Sequence, residues 1–403
     1  RYCDSTLPEA FLDMGIMPLA NSFIEKNKKD QAEFVCPLSV TRCTTCGLVQ
    51  LTHVVPPELM FSHYLYVSST TRTFKEHFAQ YAGQVKNLLH KKDNILAVDI
   101  GSNDGLLLAS FQNKGITAVG VEPASNLSKE ANAKGLTTIN KFFNEECVNT
   151  IIKKYGKANV VTANNVFAHI DDVQSVCRNV NDLLDDNGIF VIEFPYLAVM
   201  LEDMVFDMIY HEHLSYILVT SLQYLLKRFS LEIFYIEKVA SHGGSLRVFI
   251  KKQKGIYQVS KEVDEFLKME SEKGYNDQSS YHAFAEKVKN IKKKIMQFVD
   301  ESRRSGKNVA GYGAPAKGNT LINYCLFDDK QIDFIVDDNP LKQDMLSPGA
   351  KIPVVSSLYL YEHPVDILII FAWNFAKEIL EKNNTLRKKG VKFIIPLPEP
   401  KIV

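Results

Sequence analysis

The sequence lacks net charge: Lys and Arg together number 47, and Asp and Glu together number 47. A chain so balanced has no overall field with which to hold nucleic acid or an anionic membrane. It lacks any apolar run approaching the roughly 20 residues of a membrane span. Its first residues show neither the basic segment nor the apolar segment of a secretory leader. Cysteine is sparse, seven in 403 residues, which excludes a disulfide framework and fits a reducing compartment where thiols stay free or bind metal. Low-complexity sequence is missing too, and an apolar fraction of 46% leaves material for two or three domains with real cores. The expectation from these absences is a cytoplasmic enzyme.

What is present falls into three parts. Residues 1–70 hold cysteines, prolines and short apolar runs without helical period, so something other than a large core must staple them. Cys43-Thr44-Thr45-Cys46-Gly47 has the spacing of a zinc knuckle, in which a tight turn points both sulfurs at one centre. Cys3 supplies a third thiol, and the fourth ligand is either a cysteine directly before Arg1 or Cys36. From residue 71 to 250, helix-like and strand-like text alternates, with strands expected over 94–100, 117–121, 158–163 and 188–194. That alternation predicts an α/β fold with a doubly wound parallel sheet. Residues 251–403 begin with a Lys/Glu-rich helical connector and continue as a second α/β unit.

Each α/β unit has a glycine turn where a strand hands over to a helix. In Asp99-Ile100-Gly101-Ser102-Asn103-Asp104-Gly105 the glycines let the backbone approach a ligand, but the flanking acids would repel a phosphate. They suit a cation carrying an amine and a sulfonium. Glu122-Pro123 ends the next strand, where the carboxylate is placed to accept from both hydroxyls of a ribose, and Asn164-Asn165 follows the strand after that. Together these residues resemble the S-adenosylmethionine site of class I methyltransferases. The second turn, Gly311 to Gly318, is followed by Asp337-Asp338 at the next strand end, as in a dinucleotide site. Pro315 breaks the G-x-G-x-x-G register, and Lys317 could instead receive a diphosphate. An NAD(P)-dependent sugar-nucleotide oxidoreductase is therefore the alternative reading.

The segment Tyr210-His211-Glu212-His213-Leu214-Ser215-Tyr216 crowds titratable groups together. Its histidines are two apart rather than four, so it is no zincin helix. If the backbone is extended, residues two apart share a face, and a His beside a carboxylate suits proton transfer. His211 would then turn away from Tyr210 and Glu212.

Taken in order, CTTCGLVQL, DIGSNDG, NNVFAHI, YHEHLSY, HGGSLR and GYGAPAKGNT resemble the sugar C-methyltransferases that act on nucleotide-linked 4-keto-deoxy sugars, and the likeness covers essentially the whole chain. The resemblance implies a zinc-binding N-terminal domain, a central methyltransferase domain, and a C-terminal α/β domain that helps hold a nucleotide-diphosphate-linked sugar. It further implies methylation at carbon 3, with His213 as base, Glu212 setting its hydrogen bonds or tautomer, and Tyr210, His169 and Tyr64 around the sugar; a monomer is expected. Tyr66 rivals Tyr64. His242, Gly243, Ser245, Arg247, Tyr312 and Lys317 are the residues expected at the sugar nucleotide. Phe143 and Trp373 are read as core, as aromatics in α/β proteins usually are.

Overall fold

The computed structural model describes residues 1–61, 72–91 and 93–403. The N-terminal part is a four-stranded antiparallel sheet of Leu12–Pro18, Val35–Arg42, Val49–Leu51 and, from far along the chain, Ser215–Tyr216. A second splice joins Ile24–Glu25 to Met345–Leu346. Both the central and the C-terminal parts are thus tied to the N-terminal part, which the linear division of the sequence does not reveal.

The central sheet has seven strands: β1 (Leu96–Ile100), β2 (Thr117–Val121), β3 (Thr138–Ile139), β4 (Ala158–Asn164), β5 (Leu184–Pro195), β6 (Leu231–Val239) and β7 (Ser245–Lys252). Their order is β6-β7-β5-β4-β1-β2-β3, all parallel except β7, which runs antiparallel between β5 and β6. This is the class I methyltransferase arrangement of the doubly wound sheet. Strand β1 is buried throughout, and its side chains alternate between two cores. Leu96, Val98 and Ile100 join Val176 and Val180 of one helix layer, whereas Ala97 joins Val85 and Phe111 of the other. The helices involved are α1 (Arg72–Leu88), α2 (Leu106–Gln112) and α3 (Val173–Leu183), the last capped by the Asp172 side chain on Ser175 N–H.

The long helix α4 (Gln278–Arg304) leads into the third sheet. Its strands are β8 (Val309–Tyr312), β9 (Ile335–Val336), β10 (Val354–Val355), β11 (Ile367–Ile370), β12 (Lys392–Ile395) and β13 (Lys401–Ile402), in the order β10-β9-β8-β11-β12-β13. Only β13 is antiparallel to its neighbour. Helix α5 (Ala316–Tyr324) follows the glycine turn after β8. Among the described residues, no helix is long and apolar enough to cross a membrane.

Candidate functional site

The first glycine turn lies at the carboxyl end of β1, where the sheet order reverses between β1 and β4, the place where doubly wound sheets bind ligands. Gly101 has φ 67° and donates its N–H to Val121 O at 2.8 Å; a Cβ there would lie 2.4 Å from Val166 Cγ2. Gly105, φ 84°, opens α2. Asp99 is buried, and Thr162 Oγ1 donates to it at 2.5 Å. Burial pushes its carboxyl up to about 7, with Glu122 adding to the rise and Thr162 opposing it. Several acceptors around this turn are buried without a hydrogen-bond partner among the described residues: Ser102 Oγ, both Asp104 oxygens and Asn165 Oδ1. Lys134 stands 3.6 Å from Asp104, a charge contact too long for a hydrogen bond. Buried polar atoms are rarely left so, and a set of them converging on one turn fits a cationic, hydrogen-bonding ligand.

Glu122 departs from the sequence reading. Its two oxygens already accept Asn103 N–H and Ala124 N–H, both at 2.8 Å, so its first hydrogen bonds close the turn rather than wait for a ribose. Further lone pairs remain on each oxygen. Asn140 Nδ2 donates to the carbonyls of Glu122 and Pro123, fixing this strand end. Asn164 and Asn165 end β4, with Asn165 at φ 54° and its N–H on Glu193 O at 2.7 Å.

The residues 210–213 form a turn, not the extended strand expected, because His213 N–H closes on Tyr210 O at 2.9 Å. The turn brings together residues three apart: Tyr210 and His213 have ring centroids 4.0 Å apart, and Tyr210 Oη lies 2.8 Å from His213 Nε2. His213 Nδ1 lies 2.8 Å from Met208 O. A carbonyl only accepts, so the proton is on Nδ1, Nε2 is basic, and the Tyr210 hydroxyl donates to it. His169 stacks obliquely on His213 at 4.9 Å and hangs from Val166 O, the residue against Gly101. A continuous path of contacts therefore joins the first glycine turn to the His213 pair.

Among the described residues it is the Met208 carbonyl that meets His213 Nδ1, while Glu212 Oε1 accepts from Asn21 Nδ2 of the N-terminal part at 2.6 Å. His211 donates Nε2–H to Cys36 O at 3.1 Å, and burial lowers its basicity. It is turned away from the pair, as expected, though by a turn. Tyr64 and Tyr66 lie outside the described residues, as does the side chain of His242.

A cavity of about 30 Å³ lies against His213, lined by Ala168, Met208, Tyr216, Gly243 and Gly244. The glycines of the 242–245 turn thus face the base. Ser245 Oγ donates to Ser241 O at 3.0 Å and closes that turn. Arg247 is no free anion receptor: it is buried over the Tyr81 ring and bonds Glu193, Glu237 and Gln84 at 2.8–3.1 Å. Burial alone would raise the Glu193 carboxyl, but His77 and Arg247 outweigh it and hold it low.

At the second glycine turn Asp337 accepts Ala314 N–H at 2.7 Å, and Lys342 Nζ donates to Ala314 O at 2.9 Å. Asp337 thus takes up one N–H of this turn and Lys342 one of its carbonyls. Tyr312 is a core residue, 4% exposed, with its hydroxyl 3.4 Å from Asp338. Lys317 is half-buried with Nζ 4.4 Å over the Trp373 ring. Trp373 donates Nε1–H to Asp207 at 2.6 Å, an unexpected pairing between the C-terminal sheet and the turn before Tyr210. The only sequence signal for Asp207 is a charge inside the apolar run Met204 to Ile209.

In the N-terminal part the sulfurs of Cys3, Cys43 and Cys46 lie within 4.8 Å of one another, with Cys3 to Cys43 at 3.5 Å. Tetrahedral zinc with bonds of about 2.3 Å holds sulfurs roughly 3.8 Å apart, so the three fit it. Gly47, φ 74°, donates to Cys43 O and shapes the knuckle. Cys36 stands outside this group.

Three family models match in succession: "Putative zinc binding domain" over residues 1–61, "Methyltransferase domain" over 74–235 and "C-methyltransferase C-terminal domain" over 240–398. The chain is 34% identical over 392 residues to C-methyltransferase NovU of Streptomyces niveus, covering 97% of this chain and 93% of that one. Among solved structures, magnesium protoporphyrin IX methyltransferase from Synechocystis PCC 6803 with bound SAM matches 44% of this chain and 78% of its own at 12% identity and a TM-score of 0.33. A S-adenosylmethionine-dependent methyltransferase from Clostridium acetobutylicum matches 45% and 93% at 15% identity and 0.35. At these scores the solved structures add nothing to what the sheet order shows.

Proposed function

The chain belongs to the S-adenosylmethionine-dependent C-methyltransferases with a zinc-binding N-terminal part, and from that premise we propose that it methylates carbon 3 of a nucleotide-diphosphate-linked 4-keto-deoxy sugar. Methyl transfer to carbon needs a carbon nucleophile, and a sugar carbon becomes one only beside a carbonyl. Bound at the first glycine turn by Asp99, Ser102, Asn103, Asp104, Glu122 and Asn165, S-adenosylmethionine supplies the electrophilic methyl group. His213 is the base: it accepts the carbon 3 proton at Nε2, with Tyr210 yielding the lone pair and donating to the enolate oxygen. His169 flanks the base, and Lys317 takes the diphosphate charge.

The observation that supports this reading best is the Tyr210–His213 pair, in which one nitrogen is fixed as donor by a carbonyl and the other is left basic beside a hydroxyl. A positioned base is worth about 10²- to 10⁴-fold, and His213→Ala is expected to lose methylation by that much together with exchange of the carbon 3 proton into solvent. Retained exchange would reject His213 as base. Mass spectrometry of a panel of nucleotide-linked 4-keto sugars incubated with S-adenosylmethionine tests the substrate class. If none gains a methyl group, the sugar assignment fails.

A further inference from the structure

We infer that Asp207 is a positioning residue for the base, gripped from the C-terminal sheet by Trp373 so that the Met208 carbonyl holds His213 with its proton on Nδ1. The inference rests on the reading of His213 as base. Asp207 is wholly buried in the short turn Phe206–Met208, among Val205, Phe206 and Ile209. A turn needing only to pack would carry another apolar residue there. Instead it carries a carboxylate whose Oδ2 accepts the indole N–H of Trp373 at 2.6 Å. Burial pushes its carboxyl up to about 6, with Lys317, the Trp373 N–H and the Asp207 and Met208 N–H groups opposing. Its Oδ1 has no hydrogen bond of good geometry among the described residues. A buried acceptor left in this way asks for an explanation beyond stability.

The next residue supplies one. Met208 O accepts His213 Nδ1–H at 2.8 Å, and this contact leaves Nε2 as the basic nitrogen toward Tyr210. The turn itself packs on the C-terminal unit, with Phe206 and Tyr324 rings 5.8 Å apart. On the far side of Trp373, Lys317 Nζ sits over the ring face, and its charge reaches Asp207. Trp373 directly follows Ala372, against which Gly313 of the second glycine turn packs so closely that a Cβ would come within 2.5 Å. The contacts run without a break from the C-terminal glycine turn, through Trp373 and Asp207, to the carbonyl that orients the base.

The test uses the full chain. Trp373→Phe keeps a ring under Lys317 but removes the N–H, whereas Asp207→Asn keeps an acceptor for that N–H. Trp373→Phe is expected to lower kcat about 100-fold with little change in KM for the keto-sugar nucleotide, as a misplacement of the base by a fraction of its hydrogen bond would. Nitrogen-15 spectra of labelled histidine should show His213 as the pure Nδ1–H tautomer in the parent and as a mixture in Trp373→Phe. Asp207→Asn should return both kcat and tautomer toward the parent. A parent-like tautomer in Trp373→Phe overturns the inference, whether or not kcat falls. Because the tautomer is read without turnover, this result stays separate from His213→Ala, which tests the base assignment itself.

Discussion

The two glycine turns are built by the same clamp and finished differently. In each, the glycine N–H reaches across to the next strand, Gly101 to Val121 O and Gly313 to Val336 O. In each, the acid ending that strand takes one N–H from the turn and one from two residues beyond itself: Glu122 from Asn103 and Ala124, Asp337 from Ala314 and Asn339. The acid at the second strand end therefore closes the turn in both sheets. What separates the turns is what remains over. The first is left with buried acceptors at Ser102, Asp104 and Asn165 that have no hydrogen-bond partner among the described residues, and an acid at Asp99. The second is rimmed by cations, Lys342 on Ala314 O, Lys382 on Asp338 at 2.7 Å and Lys317 over Trp373. The same supersecondary unit thus carries acids over in one sheet and lysines in the other.

The largest break in this comparison should come from adding a Cβ to each glycine. Gly101→Ala meets Val166 at 2.4 Å with φ 67°, and Gly313→Ala meets Ala372 at 2.5 Å with φ 86°. The left-handed conformation alone costs a non-glycine residue about 1–2 kcal/mol. Both variants should therefore melt lower, by calorimetry, to a similar degree. Only Gly101→Ala should also lose S-adenosylmethionine affinity, by about 100-fold or more, since displacement of the turn misplaces every donor and acceptor on it. Equal affinity in the two variants would mean the first turn does not hold the methyl donor.

A smaller effect separates the acids. Asp104→Asn removes a buried charge that has no hydrogen-bonding partner among the described residues and only the 3.6 Å contact with Lys134, so the free protein should be about as stable, while affinity for the cationic donor falls about tenfold or more. Asp337→Asn should do the reverse. It weakens two backbone hydrogen bonds to a carboxylate, costing about 1.5–3 kcal/mol, and should leave donor affinity unchanged. Titration calorimetry and thermal melts on the pair check both signs.

Much of this was legible beforehand because it depends on local periodicity. The strands β1, β2, β4 and β5 and the turns between them follow from apolar runs ended by Gly, Asp and Asn. The His213 pair was legible as a cluster, but not its geometry: a turn closed by His213 N–H brings Tyr210 to it, where an extended backbone would have paired Tyr210 with Glu212. Contacts between distant segments were not legible. Nothing in the sequence near Ser215 says that it pairs with Gln50, nor does Trp373 announce Asp207 or Arg247 its carboxylates. Such pairings depend on which surfaces the completed sheets bring together, and no local pattern encodes that.

The smallest effect, and the one confined most narrowly to the first turn, is in pH. Asp99 stands two residues before Gly101; the equivalent place before Gly313 is Gly311, which cannot titrate. Burial raises the Asp99 carboxyl from its usual 3.8 to about 7, Thr162 opposing and Glu122 adding to the rise. A carboxyl raised on folding binds a proton in the folded chain that the unfolded chain has released. Its contribution to stability is thus fully present below about pH 4 and is lost as the pH rises through about 7. A cationic ligand favours the ionised form, so binding near neutrality should expel a proton, and affinity should rise at most about tenfold between roughly pH 6 and pH 8. Calorimetric titrations in buffers of different ionisation heat measure that proton directly. Asp99→Asn should abolish the release and flatten the pH dependence, whereas Asp337→Asn should leave both as they are, and a release that survives Asp99→Asn would move the titrating group away from this turn.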